Sequence, residues 1–338
     1  MTTDHNRRRI LKASAGLMMP GVFGTIARAA AAAEAEDRIL VVFEMSGGND
    51  GLNTVVPYAD DRYYRLRPKI GIRPDKVRKL DDRFGLNPGM AGFERLWKDG
   101  RLAIVHGCGY DNPSFSHFTS MAYLHTATPN SGDDYGWVGR LADAMSPAPV
   151  PNYLLNIDTA QSLAVRSRVH TPVVFDEPDR FVRSALHPTR ALLDDVAVAS
   201  TDNPSRRYLE QVAVSARESS LAVYTSDSIH GFLRDMERIG QADRVSLLIF
   251  SEFGRRVPEN TSLGTDHGTA NVMFFAGRQV KGGHYGTPSD LGALDAGDNL
   301  IHTTDFRSVY ASAIDGWLKV GAADTILKGR FAPLPVFG

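Results

Sequence analysis

Apolar residues fall along this chain in short, nearly continuous runs separated by stretches with helical spacing. Arg38-Ile-Leu-Val-Val-Phe-Glu-Met45 is such a run, rich in β-branched residues. Its lack of alternation predicts a strand buried on both faces, as in a parallel sheet. Leu102–His106, Arg244–Phe250 and Ala270–Ala276 have the same character. Helices are expected over about Met90–Lys98, Ser114–Thr126, Pro204–Ser219, Ile229–Ile239 and Thr304–Leu318, with a serine of Ser114-Phe-Ser116 as N-cap of the second. In the last of them Val309, Ile314, Trp317 and Leu318 share a face. Residues 147–205, rich in proline, arginine and aspartate, predict an irregular covering region with brief strands near Tyr153–Leu155 and Pro172–Phe175. Strands alternating with helices give an α/β fold with a mostly parallel sheet flanked by helices.

The N-terminus follows another pattern. Asn6-Arg7-Arg8-Arg9-Ile10-Leu11-Lys12 resembles a twin-arginine export signal. A moderately apolar stretch follows to Ala27, interrupted by Pro20 and glycines, and is too short and weak for a stable membrane anchor. Ala27-Arg28-Ala29 supplies the small residues of a cleavage site. The expected organisation is a signal peptide over residues 1–29, a flexible alanine-rich leader over 30–37 and a single domain over 38–338. The Tat export machinery is then a partner, and the periplasm or another exported location the destination. Cys108 is the only cysteine, so no disulfide can form within the chain.

With 38 basic and 39 acidic residues the formal net charge is −1, and there is no basic stripe, so nucleic-acid binding has no support. Ser46-Gly-Gly-Asn-Asp-Gly51 ends the first strand but lacks the three-glycine spacing of a dinucleotide fingerprint. Asp50, Ser116, Asp266 and His267 each fall at or just beyond a predicted strand end, where ligands gather in open α/β sheets. Two carboxylates and an imidazole suit zinc, manganese or magnesium. Ser116, at a helix N-terminus, lies where backbone N–H groups favour an anion. Each residue also has a purely structural role open to it: Asp50 as a turn aspartate bonding its own backbone, Ser116 as an N-cap, His117 as a packing neighbour.

Longer motifs carry a family resemblance. Met45-Ser-Gly-Gly-Asn-Asp-Gly-Leu-Asn-Thr-Val-Val-Pro-Tyr58, Asn112–Met121, Ser251-Glu-Phe-Gly-Arg-Arg256 with Gly264-Thr-Asp-His-Gly-Thr-Ala270, Val280-Lys-Gly-Gly283 and Thr304-Asp-Phe-Arg307 with Tyr310 resemble the hallmarks of DUF1501 proteins. That family is grouped with the alkaline phosphatase-like superfamily. The resemblance implies a three-layer alkaline phosphatase/sulfatase-like sandwich and a divalent metal (Zn, Mn or Mg) held by Asp50, Asp266 and His267, with His284 a weaker candidate for a further ligand. It also implies Ser116 as nucleophile toward a small anionic phosphate or sulfate ester, with Arg255, Asn53 and His117 as candidate substrate-binding residues; Arg255 also reads as structural. The glycine-aromatic-Asp-Thr-His motif typical of such proteins is missing from the middle of the chain, where Asp227 and His230 are the only substitutes in sight. This departure implies an internal deletion with a lost sheet strand, and it motivates the alternative of a noncatalytic, degenerate member that keeps the fold as an exported binding or structural protein.

Overall fold

The computed structural model describes residues 38–175 and 225–338. The signal, the leader and the expected helix over Pro204–Ser219 lie outside these residues. Eleven strands occur among them: β1 (Ile39–Glu44), β2 (Val55–Val56), β3 (Arg78–Lys79), β4 (Gly85–Leu86), β5 (Leu102–Gly109), β6 (Leu155–Ile157), β7 (Val173–Phe175), β8 (Val245–Phe250), β9 (Asn271–Gly277), β10 (Gly283–Tyr285) and β11 (Thr304–Asp305). The main sheet runs β1-β8-β9-β5-β10, with β11 also on β5. β1 pairs in parallel with β8, and both β10 and β11 pair in parallel with β5. Only β9 is reversed, antiparallel to β8 and β5. The reason lies in the connection: a parallel neighbour needs a crossover, usually a helix, whereas residues 251–270 form a non-helical loop that turns the chain straight back.

Both faces of β5, β8 and β9 are covered, which explains their uninterrupted apolar runs, whereas β1, expected to be buried on both faces, stands at the end of the sheet among the described residues and is only half-buried. Ala103, Val105, Leu248, Phe250, Met273 and Phe275 face one core together with Val309, Tyr310, Ile314, Trp317 and Trp137. The alternate residues Leu102, Ile104, Leu247, Ile249, Phe274 and Ala276 face the other, against Phe93 and Leu96 of the helix Ala91–Lys98 and Ile229 and Leu233 of the helix over 225–238. Helices thus lie on both sides of the sheet, giving three layers. The expected single helix Thr304–Leu318 is instead an α-helix, Phe306–Ala311, that widens into π-helical turns over Ser312–Trp317. Trp317 at its end donates its indole N–H to the Ile39 carbonyl.

β1 sits directly beside β8, with Ile39 opposite Val245 through Glu44 opposite Phe250, so the main sheet is continuous. Asp227 and His230 lie on the helix over 225–238 behind the sheet, where Asp227 pairs with Arg95 at 2.6 Å. Neither lies at the strand ends. No helix among the described residues is long and apolar enough to cross a membrane.

Candidate functional site

The carboxyl ends of β1, β5 and β8 and the start of β9 open at the same sheet edge, and four loops meet there. Met45–Gly51 leaves β1, Ser251–Arg256 leaves β8, Asp266–Ala270 leads into β9, and Tyr110–His117 follows β5. The first loop is latched to the second. Asn49 donates its backbone N–H to Ser251 Oγ at 2.9 Å and its side-chain amide to Asn271 Oδ1 at 3.1 Å. Arg255 donates to the carbonyls of Gly47, Gly48 and Thr265. A Cβ on Gly48 would stand 2.3 Å from the Phe253 ring, and its φ of +75° disfavours any other residue.

At the centre stands Glu252, whose side chain is fully buried. Its Oε1 accepts from Gly47 N–H at 2.8 Å and faces His117 Nδ1 at 2.6 Å, while Oε2 accepts from the Ser251 hydroxyl at 2.9 Å. Burial alone would raise its pKa, but the bonds from His117, the backbone and Ser251 outweigh it and hold the carboxyl below its usual range. His267 is fixed from the opposite side: an isolated antiparallel bridge joins it to Arg255, and its Nδ1 lies 2.8 Å from the Phe115 carbonyl. The Nε2 atoms of His117 and His267 then face each other at 3.1 Å, with both rings against Phe253. An ionised carboxylate and a carbonyl only accept, so each Nδ1 carries a hydrogen, and in two neutral rings each Nε2 then has a lone pair. Two lone pairs at this distance repel unless something positive lies between them.

Sequence-predicted residues are distributed unevenly about this pair. Ser116 is the N-cap of the helix His117–Thr126, its Oγ accepting from Thr119 N–H at 3.5 Å, and it is exposed one residue from both His117 and the Phe115 carbonyl. Asp266, with Phe115, Arg255, Arg256, Thr265 and His267, lines an open recess of about 450 Å³, and its carboxylate accepts from the Asn260 side chain at 3.0 Å.

Asp50 is engaged elsewhere. It caps the short helix Gly51–Thr54, and both its oxygens accept from Arg67, whose side chain has no solvent exposure. Asn53, expected on the substrate, instead accepts from Tyr63 and Arg67 and donates to the Ile70 carbonyl. Arg255, with its guanidinium bound to three carbonyls, takes the structural role. His284 sits on β10 beside His106 and Asp81, apart from the recess. The triad Asp50, Asp266 and His267 is therefore not brought together, and among the described residues no three His, Cys, Asp or Glu side chains cluster closely enough to hold a metal ion. His117, by contrast, belongs to the centre of the site. Glu252 was missed by the sequence reading, although a carboxylate two residues after a wholly buried strand is a signal for it.

The fold and site define an α/β protein with a carboxylate-supported histidine pair at the carboxyl edge of its sheet. Residues 212–313 match the model of a family described as "Protein of unknown function (DUF1501)", in agreement with the motifs from Ser251 to Tyr310, whereas those at Met45–Tyr58 and Asn112–Met121 lie outside the match. No curated protein matches the chain. Among solved structures, the C-terminal periplasmic domain of EcEptC from Escherichia coli, crystallised in complex with Zn, aligns at 12% identity. That alignment has a TM-score of 0.38 and covers 70% of this chain and 72% of the other, a likeness too distant to bear on the chemistry.

Proposed function

We propose that this protein is an exported, metal-dependent hydrolase of phosphate or sulfate esters, with His117 and His267 as metal ligands and Ser116 as nucleophile. The observation that carries this reading is the facing pair of Nε2 atoms at 3.1 Å, each backed by an acceptor on its Nδ1. Metal-binding histidines characteristically donate their other ring N–H to a carboxylate or a carbonyl. Two nitrogens on one tetrahedral zinc, each about 2.0–2.1 Å from it, stand about 3.3 Å apart. The pair fits two ligand positions; Asp266 lines the recess beside His267, but its carboxylate is held by Asn260 and does not close in as a third. A divalent ion there would supply Lewis acidity toward an ester oxygen. Glu252 and the Phe115 carbonyl orient the two rings. Ser116 presents its hydroxyl beside the first-turn amides of its helix, which favour an anionic group. Export rests on the order of basic, apolar and small residues in the first 29 positions.

Buried, ionised Glu252 favours a second reading: a proton shared between the two Nε2 atoms, making the pair a cation that neutralises the carboxylate. The protein would then be a noncatalytic anion receptor. Mass-spectrometric metal analysis of the mature protein separates the two. About one bound ion per chain, lost in a His117→Ala/His267→Ala variant, together with ester hydrolysis lost in Ser116→Ala, supports the hydrolase. Metal-free wild-type protein after growth and purification with added zinc refutes it.

A further inference from the structure

A second built site lies on the other side of β5. Between Val105 and Cys108 the register of β5 against β9 shifts by one residue, His106 and Gly107 together standing against Val272 alone. Bulges of this kind re-aim side chains. Gly107 has a φ of +63°, and a Cβ there would come within 1.9 Å of Thr303 Oγ1, so the bulge tolerates only glycine. His106, only 4% exposed, lines a cavity of about 800 Å³ that shares no residue with the recess of His267. This volume is within the range of small-molecule sites.

The imidazole of His106 is held by a chain of partners. Its Nε2 lies 2.8 Å from His284 Nδ1, and His284 Nε2 lies 3.2 Å from Asp81 Oδ2, an electrostatic contact without hydrogen-bond alignment. Phe84 stacks near both imidazoles and Trp97 near His284. A carboxylate beside Nε2 of His284 favours the hydrogen on that atom, which leaves Nδ1 to accept from His106 Nε2–H. The lone pair of His106 then resides on Nδ1. Burial, with the neighbouring His284, pushes the His106 pKa down to about 3, so the ring is a neutral acceptor.

The rest of the lining sets the ligand's character. Three arginines (Arg62, Arg65, Arg83) and three aspartates (Asp60, Asp61, Asp290) line the cavity, so the formal charge of the lining is balanced. Arg62 is clamped between Asp60 and Asp290 at 2.8 and 2.6 Å. Such a wall offers fixed donors and acceptors side by side without a net field for an ion, and Leu52, Val55, Phe84 and Val272 add apolar surface. Hydroxyl groups, which donate and accept at once, match this lining.

We propose that this cavity is a binding site for a small neutral carbohydrate, with a sugar hydroxyl donating to His106 Nδ1 and neighbouring hydroxyls on the Arg62–Asp290 pair. The test is NMR of full-length mature protein carrying ¹⁵N-labelled histidine, titrated with maltose, D-glucose and inorganic phosphate. The expected result is a His106 ring protonated on Nε2 alone, whose Nδ1 resonance moves saturably with maltose or glucose and not with phosphate. His106→Gln should weaken sugar binding about tenfold, the loss of one ligand hydrogen bond, while His106→Asn, which restores an acceptor near the Nδ1 position, recovers part of it. Exposed Asp290→Asn provides a variant that leaves the buried chain intact and should also weaken binding. A His106 ring protonated on Nδ1, a response to phosphate alone, or no saturable response to either sugar overturns the proposal.

Discussion

Arg67 organises the loop that begins the site, and removing its partner tests whether Asp50 is an anchor or a ligand. The Arg67 guanidinium is fully buried and makes five contacts: two to Asp50 at 2.9 and 2.7 Å, one to Asn53 Oδ1 at 2.9 Å, and two to the carbonyls of Val257 and Arg256 at 2.7 and 3.0 Å. Asp50→Ala deletes the only carboxylate in this set and the cap on the helix Gly51–Thr54. Leaving a buried charge without its counter-ion costs about 3–5 kcal/mol, and loss of the cap adds roughly 1 kcal/mol. Because the side-chain oxygen of Asn53 and two carbonyls still hold the guanidinium, the lower end of the combined range applies, about 4 kcal/mol. For a chain of this size that corresponds to a fall in Tm of roughly 8–16 °C. Asp50→Asn keeps an acceptor for the guanidinium and the cap, so its cost should be about half as large. Denaturant unfolding followed by tryptophan fluorescence measures both. An Asp50→Ala variant within about 1 kcal/mol of wild type, or one that keeps its stability while losing bound metal, would refute the anchoring role and restore Asp50 as a ligand.

Other outcomes follow from the same geometry. Glu252→Gln should lower metal affinity by about 10–100-fold, the usual effect of removing a supporting carboxylate, read by competition with a chromogenic chelator; unchanged affinity counts against the histidine pair as ligands. Gly48→Ala places a Cβ against Phe253 at positive φ and should destabilise by about 1–3 kcal/mol, seen as a lower denaturant midpoint. His106, with a folded pKa of about 3 against 6.5 unfolded, lets the unfolded chain take up the proton first as pH falls. Its stabilising contribution is complete above pH 6.5 and declines by up to about 1.4 kcal/mol per unit toward pH 3. Urea unfolding at several pH values should therefore show a shallower acid slope in His106→Gln.

The sheet was legible because burial on both faces writes itself into composition. Val245–Phe250 and Asn271–Gly277 are buried at every position, and such runs need no periodicity to be recognised. Direction was less legible. Nothing in Asn271–Gly277 distinguishes a reversed strand; the information lies in the loop before it, which contains no helix and so cannot make a crossover. The helix Phe306–Ala311 shows a related limit, since its π-helical continuation keeps the same residues buried while changing the hydrogen-bond ring.

For the site, chain position at strand ends located the right edge but not the right partners. Asp50 and His267 both lie there, yet what each side chain meets is decided by residues distant in sequence: Arg67 captures Asp50, while Phe115 and Glu252 turn two imidazoles toward each other. A motif names residues, whereas a ligand set depends on which of them already has a stronger partner. Asp50 satisfies a fully buried guanidinium and so is spent; His117, expected as a packing neighbour or beside the substrate, has its Nδ1 committed to a buried carboxylate and its Nε2 turned toward that of His267. On the proposed reading a ligand set would therefore follow the side chains not already committed, and at this sheet edge those are the facing imidazoles of His117 and His267.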